Sequence, residues 1–342
     1  MRQYLLPKEG QFYKANMHAH TNISDGQNSP EEVKQIFRDL GYSIVAYTEH
    51  EVLVPHNDLT DENFLAITSY EVSLNDYWPT DFQFQKTYHL NLYAKDRYTS
   101  VSSVFSEKNF WIDHSLDYIS EECRKIKYTR HYTTEGVNDL IKKANDDGFL
   151  VCLNHPVWSV QRYPDYAGLK GLWGVEVYNG CDQGGFIENT QAFDDLLHLN
   201  EKVYPIAADD SHSKDGSGRG WIQVKAENLE YDTIMEALER GDFYASTAPE
   251  IHEFYIEDGV VHASTSDAVQ IRLLTERRCA WAVNGTEEKP VNECAFDLNQ
   301  YIKDTRNNPN LRCRPWFRLE VSDRTGKAAQ TRAYYLDELN LL

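Results

Sequence analysis

Two histidines separated by one residue, His18 and His20, are the first residues of the chain whose types and spacing could do chemistry. They follow residues 12–16, which predict a β-strand, and side chains at positions i and i+2 of a strand point to the same face. Asp25 comes shortly afterwards in a polar loop, where Gly26 permits a sharp turn. Two imidazole nitrogens and a carboxylate suit a divalent metal such as zinc, manganese or iron. The pair alone is a weak signal, because histidines also occur as ordinary core or surface residues of strands.

Later apolar segments carry similar residues at or near their ends. Strands are predicted over residues 43–50, 64–72, 86–94, 149–156 and 203–208, and in chain order these segments contain or precede His50, Glu71, His89, His155, Asp210 and His212. A parallel α/β barrel gathers the carboxyl ends of its strands on one face, and that face carries the chemistry. A sequence in which several strands carry ligand residues near the same end is unlikely to arise by chance, so we expect these side chains to converge.

The positioning elements follow an α/β pattern. Ser29 suits an N-cap, Pro30 the first helical position and Gly41 the residue after the helix, so residues 30–40 predict a helix between two parallel strands. Further helices are predicted at 134–147, about 188–199 and 231–240, and further strands at 174–179 and 221–224. Residues 97–132 show weak periodicity and are interpreted as an irregular insertion, a candidate lid.

The chain is predicted to contain two domains. Residues 1–248 hold the α/β pattern, whereas strand-like alternation dominates residues 249–342, with a hairpin signal at Asp258-Gly259. The predicted fold is therefore a barrel followed by a small all-β, sandwich-like domain.

The amino-acid composition limits the classes of partner that this chain is expected to bind. The 342 residues include 34 Lys and Arg against 54 Asp and Glu, a net charge of −20, which argues against binding of extended nucleic acid. No apolar run approaches the roughly 20 residues of a membrane span, and residues 1–8 contain no signal-peptide core. Six scattered cysteines without a C-x-x-C pair predict reduced thiols and a cytoplasmic protein, although a disulfide among the last three is not excluded by spacing.

The order of these motifs resembles the polymerase and histidinol phosphatase (PHP) family of metallohydrolases. The matching segments are His18-Ala19-His20-Thr21, Ser24-Asp25-Gly26, Tyr47-Thr48-Glu49-His50, Glu71, His89, Asn154-His155-Pro156 and Asp210-Ser211-His212. Segments 174–179 and 241–247 and the β-rich tail resemble the CehA/McbA-type branch of that family. The resemblance covers roughly residues 10–248 and implies a distorted seven-stranded α/β barrel that binds two or three divalent ions, with Mn, Zn or Fe as candidates.

The resemblance also implies a ligand set for each ion. His18, His20, Glu71 and Asp210 would hold one metal; Glu71, His89 and His155 a second; and Asp25, His50 and His212 a third. Glu49 is a departure, because the family more often has Asp before this histidine. The insertion at 97–132 has no counterpart that can be placed, so the substrate cannot be inferred from a relative.

Two neighbouring metal ions can activate a shared water and clamp both oxygens of an in-line displacement. A metal-bridging hydroxide is then the expected nucleophile, and His212 or a metal-bound water is the candidate acid for the leaving group. Arg219, between Gly218 and Gly220, could grip a phosphate, although a solvated loop arginine is an equal reading. Glu176 could orient a ligating histidine, and a purely structural use of this buried carboxylate is an equal reading.

The leading prediction is a metal-dependent phosphoesterase for a small phosphorylated substrate, either a phosphomonoester or a nucleotide-type diester. Hydrolysis of an amide or carbamate is the alternative enzyme, because an activated water attacks carbonyl groups as well. A non-catalytic metal-dependent binding module is a third class. The C-terminal β-rich region is a candidate surface for oligomer formation.

Overall fold

The computed structural model describes residues 2–76, 84–181, 189–308 and 310–342. Its strands are β1 (Arg2–Tyr4), β2 (Gln11–Ala19), β3 (Ile44–Tyr47), β4 (Leu65–Asn75), β5 (Thr87–Ala94), β6 (Phe149–Leu153), β7 (Gly174–Asn179), β8 (Tyr204–Ala208), β9 (Trp221–Ala226), β10 (Phe243–Ser246), β11 (Ile251–Glu257), β12 (Val260–Ala268), β13 (Gln270–Thr275), β14 (Ala280–Asn284), β15 (Val291–Asp297), β16 (Trp316–Ser322), β17 (Ala328–Thr331) and β18 (Tyr334–Tyr335). Its helices are α1 (Pro30–Asp39), α2 (Glu121–Lys125), α3 (Thr134–Asp146), α4 (Tyr163–Tyr166), α5 (Gln191–His198), α6 (Tyr231–Arg240) and α7 (Asn299–Arg306).

Most predicted elements are present with small shifts of their ends. Helix α1 begins as expected, because the Ser29 hydroxyl accepts a hydrogen bond from the Glu32 backbone N–H while the Glu32 side chain accepts one from the Ser29 backbone N–H. Strand β2 extends to Ala19, so His18 lies inside the strand. The predicted helix start at Glu188 lies outside the described residues.

The fold is mixed α/β, and its large sheet has both parallel and antiparallel pairs. This sheet contains fourteen of the described strands, in the order β14-β13-β16-β17-β10-β9-β2-β3-β4-β5-β6-β7-β8, with β18 beside β16. Beyond β8, the Ser211 backbone bonds to the end of β2: Ser211 N–H donates to the His18 carbonyl at 3.3 Å, and His20 N–H donates to the Ser211 carbonyl at 2.9 Å. The far end of the β2–β8 segment therefore returns to its first strand.

Two strands correct the expectation of a wholly parallel arrangement. Strand β9 runs antiparallel to β2. Strand β5 runs antiparallel to both β4 and β6, whereas β2–β3, β3–β4, β6–β7 and β7–β8 are parallel. His89 therefore lies near the beginning of its strand rather than at the carboxyl end. The reversal still places it beside β4, where His89 pairs in register with Ser73. Because β5 is antiparallel to β4, its beginning lies beside the carboxyl end of β4, so His89 reaches the same end of the sheet as the other ligands.

The β-rich C-terminal region packs two sheets around an apolar core. A four-stranded sheet has the order β1-β11-β12-β15, and its buried residues share a cluster with those of β13, β16 and β17. The predicted hairpin is present: Asp258 and Gly259 both have positive φ, 51° and 81°, between β11 and β12. Because β1 pairs with β11 and β10 pairs with β17, hydrogen bonds cross the predicted boundary at residue 248, which stays a prediction.

The insertion at 97–132 is irregular, as expected, and contains two 3₁₀ segments, Glu107–Asn109 and Asp113–Tyr118, and the short helix α2. All six cysteines are free. Among the described residues, the helices are too short or too polar for any of them to pass through a membrane.

Candidate metal centre

Six strands and the loops that follow four of them bring all nine predicted metal ligands to one cavity or to its floor, which the buried His18 and His20 form. His18 lies one residue before the end of β2, Glu71 lies in β4 and His89 lies in β5. The remaining ligands follow β2, β3, β6 and β8 in loops: His20, Asp25, His50, His155, Asp210 and His212. The cavity has a volume of about 440 Å³, and its walls include Asp25, His50, Glu71, His89, His155, Asp210 and His212.

The nine side chains form three overlapping groups whose ligand atoms lie close together. The groups are His18, His20 and Asp210; Glu71, His89 and His155; and His20, Asp25, His50 and His212. These match the three predicted sets, except that His20 belongs to two groups and Glu71 is grouped only with His89 and His155. Glu71 nevertheless reaches the first set, since its Oε2 lies 3.5 Å from Nε2 of both His18 and His20.

The distances within each group are those expected between ligands of a common ion. The His18 and His20 Nε2 atoms are 3.2 Å apart, and Asp210 Oδ1 lies 3.3 and 3.1 Å from them. Glu71 Oε1 lies 3.1 Å from His89 Nδ1 and 3.6 Å from His155 Nε2. Two atoms bound tetrahedrally to one ion at about 2.1 Å are about 3.4 Å apart.

The third group has the same spacing. Its members other than His20, which are Asp25, His50 and His212, line the cavity and form what we call its rim. Asp25 Oδ2 lies 3.3 Å from His212 Nε2 and 3.6 Å from His50 Nε2. The buried Nδ1 of His20 faces Asp25 at 3.7 Å and has no hydrogen-bond partner among the described residues. An orphaned buried nitrogen is costly, and a bound cation would satisfy it. The donor set of imidazoles and carboxylates therefore fits divalent ions.

Buried partners orient the ligands on the floor. Glu176 Oε1 accepts a hydrogen bond from His18 Nδ1 at 2.8 Å, which turns Nε2 towards the cluster. Its other oxygen accepts the His155 backbone N–H at 2.9 Å. Asn154 Nδ2 donates to Glu71 Oε1 at 2.8 Å. The structure thus favours the orienting interpretation of Glu176.

Two ligand residues have strained backbones. His155 and Asp210 have positive φ angles of 26° and 49°, in a backbone region that residues other than glycine rarely adopt. Such outliers concentrate at functional sites, where the surrounding structure enforces them. At His155, the hydrogen bond to Glu176 is one such constraint.

The electrostatics of the cluster favour cation binding. Burial raises the pKa of Glu71, but the neighbouring imidazoles hold that pKa well below its usual range overall. Burial lowers the pKa of His155, but its hydrogen bond to Glu71 and the charge on Asp210 raise it to about 9. For His212, burial again lowers the pKa, and the hydrogen bond to Asp25 raises it to about 11. Protons on these imidazoles occupy positions that a metal ion would take.

The carboxylate of Glu49 holds the loop that carries Asp25. The sequence pattern identified Glu49 only as a difference from the family, which more often has Asp at this position. Glu49 is fully buried and accepts hydrogen bonds from the backbone N–H groups of Thr21 and Ser24, both at 3.1 Å. The same loop requires glycine at position 26, because a Cβ there would lie 2.5 Å from the His20 carbonyl oxygen. Glu49 therefore fixes the turn and, through it, Asp25.

The insertion also reaches the site, which weak periodicity could not reveal. His114 lies 2.9 Å from the Ser24 carbonyl through Nε2, and the Ser115 hydroxyl donates to the Ile23 carbonyl at 2.6 Å. Arg130 forms a buried ion pair with Glu51 at 2.7 Å. Trp111 and Trp158 line the cavity and were missed, because a lone aromatic residue in a loop carries no positional signal.

Arg219 lies near the site but is engaged elsewhere. Its guanidinium donates to the Gly180 carbonyl and to the Asp215 carbonyl, both at 2.7 Å. It is not among the described residues that line the cavity. Its phosphate-binding role stays a prediction.

Comparisons with known proteins give structural neighbours but no family. No protein-family model matches the chain, and no curated protein matches it. A two-domain protein from Bacteroides vulgatus that contains a predicted PHP-like metal-dependent phosphoesterase is 15% identical, with 97% of this chain and 98% of that chain covered and a TM-score of 0.45.

Two further structures are more distant. A lesion-specific endonuclease from Pyrococcus furiosus is 14% identical over 67% of this chain and 56% of its own, with a TM-score of 0.39. An amidohydrolase from Chromobacterium violaceum is 14% identical over 58% and 87%, with a TM-score of 0.37. Because all three TM-scores lie below 0.5, these similarities do not establish the fold or the activity of this chain.

Proposed function

We propose that this chain is a PHP-type metallohydrolase that cleaves a small phosphorylated substrate. The observation that carries the proposal is the convergence of six histidines and three carboxylates in three groups with ligand spacing. A cavity of about 440 Å³ opens onto these groups, which leaves room for a small molecule. The acidic net charge of −20 disfavours a long polyanionic substrate.

The residues would hold two or three divalent ions, with Mn, Zn and Fe as candidates. Ions bound there would polarise the phosphoryl oxygens and make a water molecule nucleophilic at neutral pH. Glu71 lies between the groups and positions their imidazoles, while Glu176 fixes His18 from behind. Hydrolysis breaks the ester P–O bond, joins the water oxygen to phosphorus and delivers a proton to the leaving oxygen.

His212 has two candidate roles, as the third-site ligand or as the acid that protonates the leaving group. Its side chain is 30% exposed on the cavity wall and lies 3.3 Å from Asp25. A His212→Asn variant separates these roles. Loss of one bound ion identifies a ligand, whereas full metal content with a lost basic limb in the pH–rate profile identifies the acid.

The finer assignment of the fold is also a proposal. Strands β2–β8 would form the distorted barrel of the PHP fold, supported by the hydrogen bonds between Ser211 and the end of β2. Placement in the CehA/McbA-type branch rests on the sequence motifs alone. The β-rich residues 249–342 remain the proposed second domain and the candidate oligomer surface.

The test is a panel of phosphomonoesters, phosphodiesters and carbamates assayed with added Mn²⁺, together with metal analysis. We expect phosphoester hydrolysis that His20→Ala abolishes along with bound metal, while circular dichroism shows a folded chain. His252→Ala is the matched control, because His252 is exposed on β11, away from the cavity. Hydrolysis of carbamates alone would replace the phosphoesterase proposal, and full activity of His20→Ala would refute the site.

A further inference from the structure

Two exposed tryptophans form walls of the metal cavity. Trp111 is 58% exposed and Trp158 is 37% exposed, and both line the cavity. The Trp111 ring centroid lies 5.2 Å from that of His50, and the Trp158 ring lies 4.9 Å from that of His155. Large aromatic rings held at a cavity wall offer an apolar face to a ligand.

The backbone around Trp111 is fastened on both sides. Asn109 Nδ2 donates to the Ser73 carbonyl at 3.2 Å, and His114 Nε2 lies 2.9 Å from the Ser24 carbonyl. The insertion therefore presents Trp111 from a segment tied to the strand that carries Glu71 and to the loop that carries Asp25. A ring whose segment is already ordered loses little conformational entropy when it contacts a ligand.

Trp158 is fixed by the turn that follows His155. The Ser159 hydroxyl lies 3.1 Å from His155 Nδ1, and the Ser159 N–H donates to the His155 carbonyl at 3.0 Å. The same turn thus orients a proposed metal ligand and an aromatic wall, so the distance between the two is set by the fold.

The cavity extends well beyond the space that a phosphoryl group needs. Glu71, Ser73 and Asn75 line it and alternate along β4, so they lie on one face of the strand. Four residues of strand separate Glu71 from Asn75 by about 13 Å. The far part of the cavity can therefore hold the organic portion of a substrate whose phosphoryl group lies at the metal cluster.

The charge of the cavity restricts that organic portion. Among its described lining residues there are three carboxylates, Asp25, Glu71 and Asp210, and no Lys or Arg. The segments outside the described residues that flank Asn75 and Cys181, 77–83 and 182–188, contain no Lys or Arg in their sequence either. Among the described lining residues, positive charge thus comes only from the imidazoles or from ions bound by them, and a second phosphate beside Ser73 and Asn75 would meet no lysine or arginine of that lining.

We propose that the substrate is an ester of a single phosphoryl group with an alcohol that carries an uncharged planar aromatic ring, which packs against Trp111 and Trp158. This inference rests on the proposed phosphoesterase function and adds the class of the leaving group. Stacking on an aromatic side chain tolerates different rings, so the tryptophans select a flat apolar shape rather than one particular ring.

The test compares benzyl phosphate, glucose 6-phosphate and glycerol 1-phosphate with the Mn²⁺-loaded protein, because all three release an alkyl alcohol. We expect kcat/KM for benzyl phosphate to exceed that for the other two at least about tenfold, which corresponds to about 1.4 kcal/mol. Trp111→Ala and Trp158→Ala should each reduce the ratio of benzyl to glycerol phosphate at least about threefold, and Trp111→Phe should keep most of it. Tyr118→Ala is the matched control, because Tyr118 is an exposed aromatic residue of the same insertion outside the cavity lining.

Calorimetric titration of the same ligands separates failure of this inference from failure of the proposed function. Tighter binding of benzyl phosphate that Trp111→Ala removes, without any hydrolysis, would support the aromatic wall and refute the phosphoesterase. Equal affinity and equal kcat/KM for the three esters, or an unchanged ratio in both alanine variants, would overturn the inference while leaving the phosphoesterase in place.

Discussion

The floor and the rim of the metal cavity are built differently. On the floor, His18 and His20 have fully buried side chains, and Glu176 holds His18 in one orientation. At the rim, Asp25 and His212 have side chains 27% and 30% exposed, and Asp25 sits on a loop held by Glu49 and by the insertion. The floor thus derives its geometry from side chains on neighbouring strands, whereas the rim depends on a loop and on the irregular insertion that contacts it. Substitutions at the floor should reduce metal binding, and those behind the rim should first reduce stability or selectivity.

The largest expected effect is at Glu71, the carboxylate that contacts both floor and rim. Glu71→Gln keeps the size of the side chain and removes the charge that faces His18, His50 and His89. We expect the loss of at least one bound metal ion per chain and a fall in kcat/KM on the order of 10³-fold, since metal ions supply several kcal/mol of transition-state stabilisation. Plasma emission spectroscopy and steady-state kinetics measure both, with Glu62→Gln on an exposed turn as the control. Full metal content in Glu71→Gln would contradict the shared role.

The next effect is on stability, behind the rim. Arg130→Met leaves the Glu51 carboxylate buried without its cation, because both side chains are 2% exposed. Loss of one partner of a buried ion pair typically costs about 3 kcal/mol or more. Urea unfolding of the metal-free protein measures the change, and the double variant with Glu51→Gln should recover part of it. Unfolding free energy equal to that of the unmodified chain would show that the insertion is not anchored through this pair.

A smaller loss is expected at the floor when the partner of a ligand is changed. Glu176→Gln weakens the hydrogen bond from His18 Nδ1, and loss of such partners typically reduces metal affinity about 10- to 100-fold. Titration of the metal-free protein with Mn²⁺ measures the affinity, and circular dichroism checks the fold. An unchanged affinity would return Glu176 to the structural interpretation that the sequence left open.

The smallest effect is expected at Arg219, beside the rim. Its guanidinium holds two backbone carbonyls, so Arg219→Lys should change kcat/KM by less than about threefold. A fall of about 100-fold, mainly in KM, would instead support the phosphate contact predicted from the sequence.

The sequence predicts the floor better than the rim, for a physical reason. The alternation of a strand places His18 and His20 on one face, and apolar runs lead into Glu71 and His155, so local patterns carry that information. Strand β4 continues past Glu71 to Asn75, which the sequence pattern did not predict. The antiparallel direction of β5 was not predicted, because the sequence of a strand does not specify the direction of the strand with which it pairs. Trp111, Arg130 and His114 act through contacts distant in sequence, which periodicity does not encode.

Metal reconstitution tests the central claim most directly. The chain is stripped with a chelator and titrated with Mn²⁺ while bound metal and phosphoester hydrolysis are followed together. We expect hydrolysis to be absent in the stripped protein and to rise with occupancy to a plateau at two or three ions per chain. Full hydrolysis in the stripped protein, or a chain that binds no Mn²⁺ at saturating concentrations, would contradict the account.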